Sequence, residues 1–339
     1  MRRVWAKAGL LGGVVGGVVG GLIVVGALWF ALQAVALGGP GKQVIVTVNA
    51  GDSLSTIAAE LHSAGVIHSA LAFRADLVIF GAPTVLPGSY EIAQNSSFAH
   101  VTSILSAGPN VQEVTVRPGL TLHEVALQVA SAVGNTYAEA FLKDATAAAA
   151  ASPYHPNGSL EGLIGSGQYV ITPTMTPAQL LARMEASFNS LASAQGLSPT
   201  TTVEGLNAYQ IVIAASIVEK EGYYPRNMPK VARVIFNRLS RGGPLQMDAT
   251  VLYALGRDGG AVTHAMLQTP SPYNTYLNSG LTPTPICTVS ADSLGAVLHA
   301  PPGPWLYFTV IDQSGTEAFA TTFAEQLANE KLAASRGIG

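Results

Sequence analysis

Two carboxylates flank Lys220 at the end of a long apolar run, Tyr209 to Glu221, YQIVIAASIVEKE. A carboxylic acid can donate a proton near neutrality when its surroundings disfavour the ionised form, and an apolar helix supplies such surroundings at its last turn. The structural alternative is a buried helix with a solvated, charged end. At ~100° per residue, Glu219 and Glu221 stand ~200° apart, so one cleft can receive only one of them. Gln210, Ala214 and Ile217 lead along the helix to Glu221, whereas Ala208, Val212 and Ala215 lead to Glu219. Both lines are largely apolar, so periodicity leaves the choice open. Further chemistry-bearing residues lie downstream, with Gln246, Asp248 and Thr250 in QMDAT and Tyr273, Asn274 and Tyr276 in SPYNTY. The seven histidines form no His-x-x-x-His or His-Glu pair at ligand spacing, so no metal is expected. No Gly-x-Ser-x-Gly elbow is present, and nothing calls for a cofactor.

The chain that positions these groups has 339 residues, enough for two or three domains. With 11% charged residues and a net charge of −3, it offers no basic surface for nucleic acid. The single Cys287 excludes an intrachain disulfide framework and reads as a small core residue.

The N-terminus reads MRRVWAK and then runs from Ala8 to Leu37 without a charge. A bilayer span needs ~20 apolar residues, so the stretch is long enough to cross with some tilt. A cleaved signal peptide would have an apolar region of ~7–15 residues, which favours an uncleaved anchor. Arg2, Arg3 and Lys7 precede it and only Lys42 soon follows, which predicts a cytoplasmic N-terminus and an extracytoplasmic remainder. Gly12, Gly16 and Gly20 repeat a small-xxx-small spacing that lets such helices approach each other.

After the linker, Gln43 to Asn49 alternates as a half-buried strand does, with Val44, Val46 and Val48 on one face. Gly51 turns the chain into a helix that Asp52 or Ser53 can cap, with Leu54, Ile57, Ala58 and Leu61 on its apolar side. A helix near Ala70 to Phe80, a strand around Ser89 to Ile92 and a helix from about Phe98 complete a small α+β module. The phrase from Val48 to Ala58 returns from Val116 to Ala126, where Thr121 and Glu124 have capping-box spacing. Its first copy, with Gly51-Asp52-Ser53-Leu54, resembles the opening of LysM modules, which bind N-acetylglucosamine polymers.

SIVEKE, VIFNRLSRGGPLQMDATVLYALG, SPYNTYLNSGLTPTPI and WLYFTV, in this order, resemble the YceG-like family of endolytic murein transglycosylases. The resemblance implies an α+β fold with an N-terminal transmembrane helix, a small LysM-like module and an α+β catalytic domain. The corresponding boundaries are a cytoplasmic 1–7, a transmembrane 8–37, a LysM-like 38–110 and a catalytic 111–339, with core motifs over 205–325. It implies a single-pass protein of the bacterial inner membrane whose partners are peptidoglycan strands, the membrane and peptidoglycan synthases. The implied reaction cleaves the bond between N-acetylmuramic acid and N-acetylglucosamine without water, leaves a 1,6-anhydromuramic end and limits strand length. The family's second E-K-E glutamate is the catalytic acid, which selects Glu221. Gln246, Asp248, Thr250, Tyr273, Asn274 and Tyr276 match family segments that would bind sugar, although all six residue types also build loops.

The chain departs from the family pattern in two places. Leu163-Ile-Gly-Ser-Gly-Gln-Tyr169 replaces a Phe-Pro-Asp-Thr-Tyr type segment after Leu160-Glu161-Gly162. Thr316-Glu317-Ala318-Phe319 and Gln326-Leu327 stand where the family carries histidines. Two competing readings therefore remain. One is a hydrolytic muramidase using Glu221 with Asp248, and the other is a catalytically silent glycan-binding scaffold.

Overall fold

The computed structural model describes residues 20–147, 152–155, 158–222 and 224–338. The expected span over 8–37 therefore begins outside the described residues, and residues 20–34 of it form helix α1. Leu22, Ile23, Val24, Val25 and Leu28 on α1 are exposed. Among the described residues, no helix is long and apolar enough to cross a membrane. The fold is mixed α+β and divides into two units, one reaching to Gln112 with Thr172–Thr174, the other formed by Glu113–Ile171 and the chain from Met175 onward.

In the first unit, β1 (Gln43–Val48) pairs antiparallel with β2 (Gly88–Ala93), Val46 opposite Tyr90. Helices α2 (Leu54–Ser63), α3 (Ala70–Phe80) and α4 (Phe98–Ala107) complete the module. The alternation of β1 turns Val46 and Val48 into the core with Ile57, Leu61, Phe73, Tyr90 and Phe98. Of the two candidate caps of α2, Ser53 accepts from the Thr56 amide at 3.1 Å. Asp52 instead accepts from the Asn49 amide at 2.7 Å and closes the preceding turn. Phe30 of α1 meets Phe98 edge to face at 6.4 Å between ring centroids.

The second unit begins with the repeated phrase. Strand β3 (Gln112–Val116) pairs with β4 (Gly167–Ile171), and helix α5 (Leu122–Val133) carries both bonds of the Thr121–Glu124 capping box. Gly51 and Gly119 occupy the same place in the two copies, with φ of 89° and 85°, a region glycine enters without a Cβ clash. Helix α6 (Asn135–Thr146) follows, in a stretch whose Ala-rich composition showed no strand signal. Helix α7 (Pro177–Ala194) has Pro177 at its start and a Thr176–Gln179 capping box.

The short strands β5 (Thr202–Val203) and β6 (Leu206–Asn207) pair antiparallel and lead into helix α8 (Ala208–Glu221), the apolar run from the sequence, in which Ile211 to Val218 are all buried. It packs against α9 (Met228–Ser240), α10 (Asp248–Ala254) and α11 (Ala291–Leu298). An all-round apolar helix is stable only when covered on every side, and that cover determines where its last turn opens. The one polar residue within this buried run, Ser216, donates to the Ile213 carbonyl at 2.8 Å and accepts from the Ile286 amide at 3.0 Å. Cys287, buried beside it, is free, and burial pushes its thiol pKa up. The Asn237-Arg238 pair ties α9 to the segment before β7 (Tyr307–Val310), because Asn237 Nδ2 donates to the Trp305 carbonyl at 2.7 Å and Arg238 Nε to the Leu306 carbonyl at 2.7 Å. Strand β8 (Glu317–Ala320) pairs antiparallel with β7, and α12 (Phe323–Ser335) closes the chain.

Candidate active site

The last turn of α8 delivers its two acids to different places. Glu219 turns to the start of α11, where its Oε2 accepts from the Ser290 hydroxyl at 2.5 Å and the Ser290 amide at 3.0 Å. Glu221 lines a cavity of about 800 Å³ within the second unit. The ~200° helical offset is realised as one structural carboxylate and one cavity carboxylate.

Glu221 Oε1 accepts from the Ala249 amide at 3.0 Å, in the first turn of α10. Burial raises its pKa to about 7; the Asp248 charge pushes the same way, while the Ala249 bond and the Arg238 charge oppose it. Desolvation dominates because an ion loses more hydration than one amide bond returns. The result is an acid that holds and releases its proton near neutrality. Beside it, Lys220 pairs with Asp258 at 2.5 Å, and both residues line the cavity.

The six other sequence candidates separate. Asp248 and Tyr273 line the cavity with Glu221. Asp248 is exposed, and its Oδ1 accepts from the Tyr276 hydroxyl at 2.6 Å, so Tyr276 positions Asp248 without lining the cavity itself. Burial raises the pKa of the Tyr276 hydroxyl, and the bond to Asp248 raises it further. The Tyr273 hydroxyl lies 2.9 Å from Thr284 Oγ1, which leaves the ring as its contribution to the wall. Thr250 is buried, donates to the Met247 carbonyl at 2.7 Å and meets Thr275 Oγ1 at 2.8 Å. Asn274 is buried, and its amide donates to the Leu267 and Thr269 carbonyls at 2.9 Å each. Gln246 is exposed, outside the cavity lining, with φ of 51° and its amide bound to the Thr275 carbonyl. Thr250, Asn274 and Gln246 thus build the loops that hold Asp248 and Tyr273.

Glu161 and Tyr253 line the same cavity, two residues that sequence reasoning did not single out as site candidates. Glu161 is 6% exposed, and its oxygens accept from the Leu122 amide at 3.0 and 3.3 Å and from the Tyr253 hydroxyl at 3.2 Å. Burial raises its pKa to about 7 against those bonds, with the Glu124 charge adding to the rise. The Tyr253 ring packs on Tyr273 at 4.8 Å between centroids. The available signal was an acid between an apolar residue and a glycine, Leu160-Glu161-Gly162.

A third raised carboxyl, Glu317, opens β8 where the histidine was absent from the sequence pattern. Among the described residues its two buried oxygens have no partner at hydrogen-bond distance, the Asn227 amide being held by the Gly315 carbonyl at 2.9 Å. Burial and then the Glu221 charge push its pKa up to about 7, against Asn227 and Arg226, which lower it.

The sequence profile of the YceG-like family matches residues 46–332. The chain is 27% identical over 335 residues to a protein of Bacillus subtilis (strain 168) named endolytic murein transglycosylase, covering 93% of this chain and 92% of that one. A Streptococcus pneumoniae (serotype 2, strain D39) protein of the same name is 27% identical over 314 residues, covering 82% of this chain and 56% of the relative. Among solved structures, a YceG-like protein from Listeria monocytogenes superposes with a TM-score of 0.58 at 25% identity, over 84% of this chain and 98% of that one.

Proposed function

This chain belongs to the YceG-like family, and on that premise we propose that it is a lytic transglycosylase that cuts peptidoglycan strands internally, with Glu221 as the catalytic acid. The observation that carries the reading is the Glu221 carboxyl, lining the cavity with its pKa raised to about 7. As an acid it gives its proton to the glycosidic oxygen while the bond from the muramic anomeric carbon breaks. As a carboxylate it then takes the proton of the muramyl 6-hydroxyl as that oxygen closes on the same carbon. The proton is returned, no water is consumed, and the product ends in a 1,6-anhydro ring. The Ala249 amide holds Oε1, which leaves Oε2 for the substrate. Asp248 and Tyr273 are the proposed sugar-binding residues of the wall, supported by their place in the cavity lining.

The same proposal includes the N-terminal anchor, supported by the uncharged stretch from Ala8 to Leu37 and by Arg2, Arg3 and Lys7 before it. It would put the catalytic domain outside the inner membrane, within reach of nascent strands and their synthases. Residues 38–110 would be the LysM-like module and 111–339 the catalytic domain, supported by the strand, glycine turn and capped helix at the start of each.

Asp248, whose charge acts on Glu221 in the same cavity, favours the hydrolytic reading as the second one. Digestion of purified sacculi with the full chain separates the two by mass spectrometry. Anhydro-ended fragments that disappear in Glu221→Gln are expected, whereas reducing muramic ends would replace the lytic reading with hydrolysis.

A further inference from the structure

Glu161 is a buried acid that its structural duties do not explain. Helix α5 already carries a complete Thr121–Glu124 capping box, so the only helix amide that needs Glu161 is that of Leu122. A neutral amide side chain would meet that need, yet a carboxyl sits there with burial working against its charge. Its placement is built rather than incidental. The Glu161 amide donates to Ser159 Oγ at 3.1 Å, and Gly162 follows with φ of 72°. A Cβ at Gly162 would fall 2.3 Å from Pro285 Cβ, so the turn presses against the chain at Pro285 and fixes the carboxyl's direction.

Glu161 lines the cavity that Glu221 also lines, with the packed Tyr253 and Tyr273 rings in the same wall. A carboxylate offers about four acceptor positions, and the Leu122 amide and Tyr253 hydroxyl leave capacity for a further donor. Aromatic faces beside a hydrogen-bond acceptor suit an amino sugar, which presents apolar ring faces with hydroxyl and acetamido N–H donors at their edge.

We propose that Glu161 is a substrate-binding carboxyl, oriented by Tyr253, that accepts a hydrogen bond from an acetamido N–H or ring hydroxyl of the glycan whose bond Glu221 cleaves. The proposal rests on the reading of the cavity as a glycan-cleaving site. It assigns the cavity two acids with separate duties, Glu221 at the scissile bond and Glu161 in holding a sugar.

The test uses the full chain and a soluble tetrasaccharide of alternating N-acetylglucosamine and N-acetylmuramic acid. Binding is measured in a Glu221→Gln background, with and without Glu161→Gln or Tyr253→Phe, and turnover of sacculi is measured in the single variants. Glu161→Gln keeps an acceptor for Leu122 but loses the charge, and about tenfold weaker tetrasaccharide binding or a tenfold higher KM is expected with Tm preserved. Glu161→Asp should recover part of the loss, and Tyr253→Phe should weaken binding in the same direction. Wild-type affinity and KM in both Glu161→Gln and Tyr253→Phe would overturn the proposal, as would a loss of Tm alone. If the wild type yields no anhydro ends, the lytic reading fails, while tetrasaccharide binding still decides the role of Glu161.

Discussion

The Ala249 amide and Glu221 Oε1 lie 3.0 Å apart, which joins the last turn of α8 to the first turn of α10 and fixes the proposed acid by one of its two oxygens. A side chain held this way does not search for its geometry when substrate arrives. Glu221→Gln keeps an acceptor for Ala249 but cannot donate an acidic proton, and kcat should fall by roughly 10²–10⁴-fold. Thermal unfolding should show the variant folded, and turnover of sacculi reads the loss.

The pH profile follows from the same group. In the proposed reaction Glu221 begins protonated, so kcat/KM should decline as pH rises through about 7. A profile flat from pH 6 to 9 would remove Glu221 from the acid role.

Stability should fall over the same range. Glu161 and Glu317 have folded pKa values near 7, raised from 4.5. A raised acid contributes its full stability below the unfolded value and loses it as pH passes the folded one, so Tm should drop between about pH 5 and 8. For Glu317 alone the loss is up to about 3 kcal/mol, taken from its rise from 4.5 to about 7. Glu317→Gln should flatten the Tm-against-pH curve, and an unchanged curve would show that this carboxyl does not titrate in that window.

Glu219 and Thr250 should behave as structural residues. Glu219→Ala takes one of two acceptors from the Ser290 amide and hydroxyl, Ser293 Oγ remaining at 3.1 and 3.3 Å, and should cost about 1 kcal/mol, whereas Thr250→Val breaks three buried bonds and should cost about 1–3 kcal/mol. Denaturant unfolding should report these losses while the products keep anhydro ends. Abolition of those ends by Glu219→Gln, with Glu221→Gln active, would reverse the assignment of the acid.

Much of this arrangement was legible in the residues. The alternation around Val46, the capping spacing of Thr121 and Glu124, and the apolar run of α8 are local signals, and local geometry realises them. The angular offset of Glu219 and Glu221 also followed from helix geometry, although which acid met the cavity did not. What escaped was burial among polar loop residues. Thr250 and Asn274 have the types a sugar site uses, but their partners are backbone carbonyls and a threonine brought close only by the fold. Glu161 escaped for the opposite reason, since it reaches the cavity of Glu221 from 60 positions away in the chain and no local period marks it.

The burial of α8 from Ile211 to Val218 has one more consequence. A helix with solvent on one side exposes its terminal acid to mobile ions, and at physiological ionic strength these screen charges beyond about 8 Å. No face of that run is wet, and the proton affinity of Glu221 at its end is set first by burial and then by its neighbours Ala249, Asp248 and Arg238. Because burial heads those causes, the protonation of Glu221 should follow acidity far more than salt.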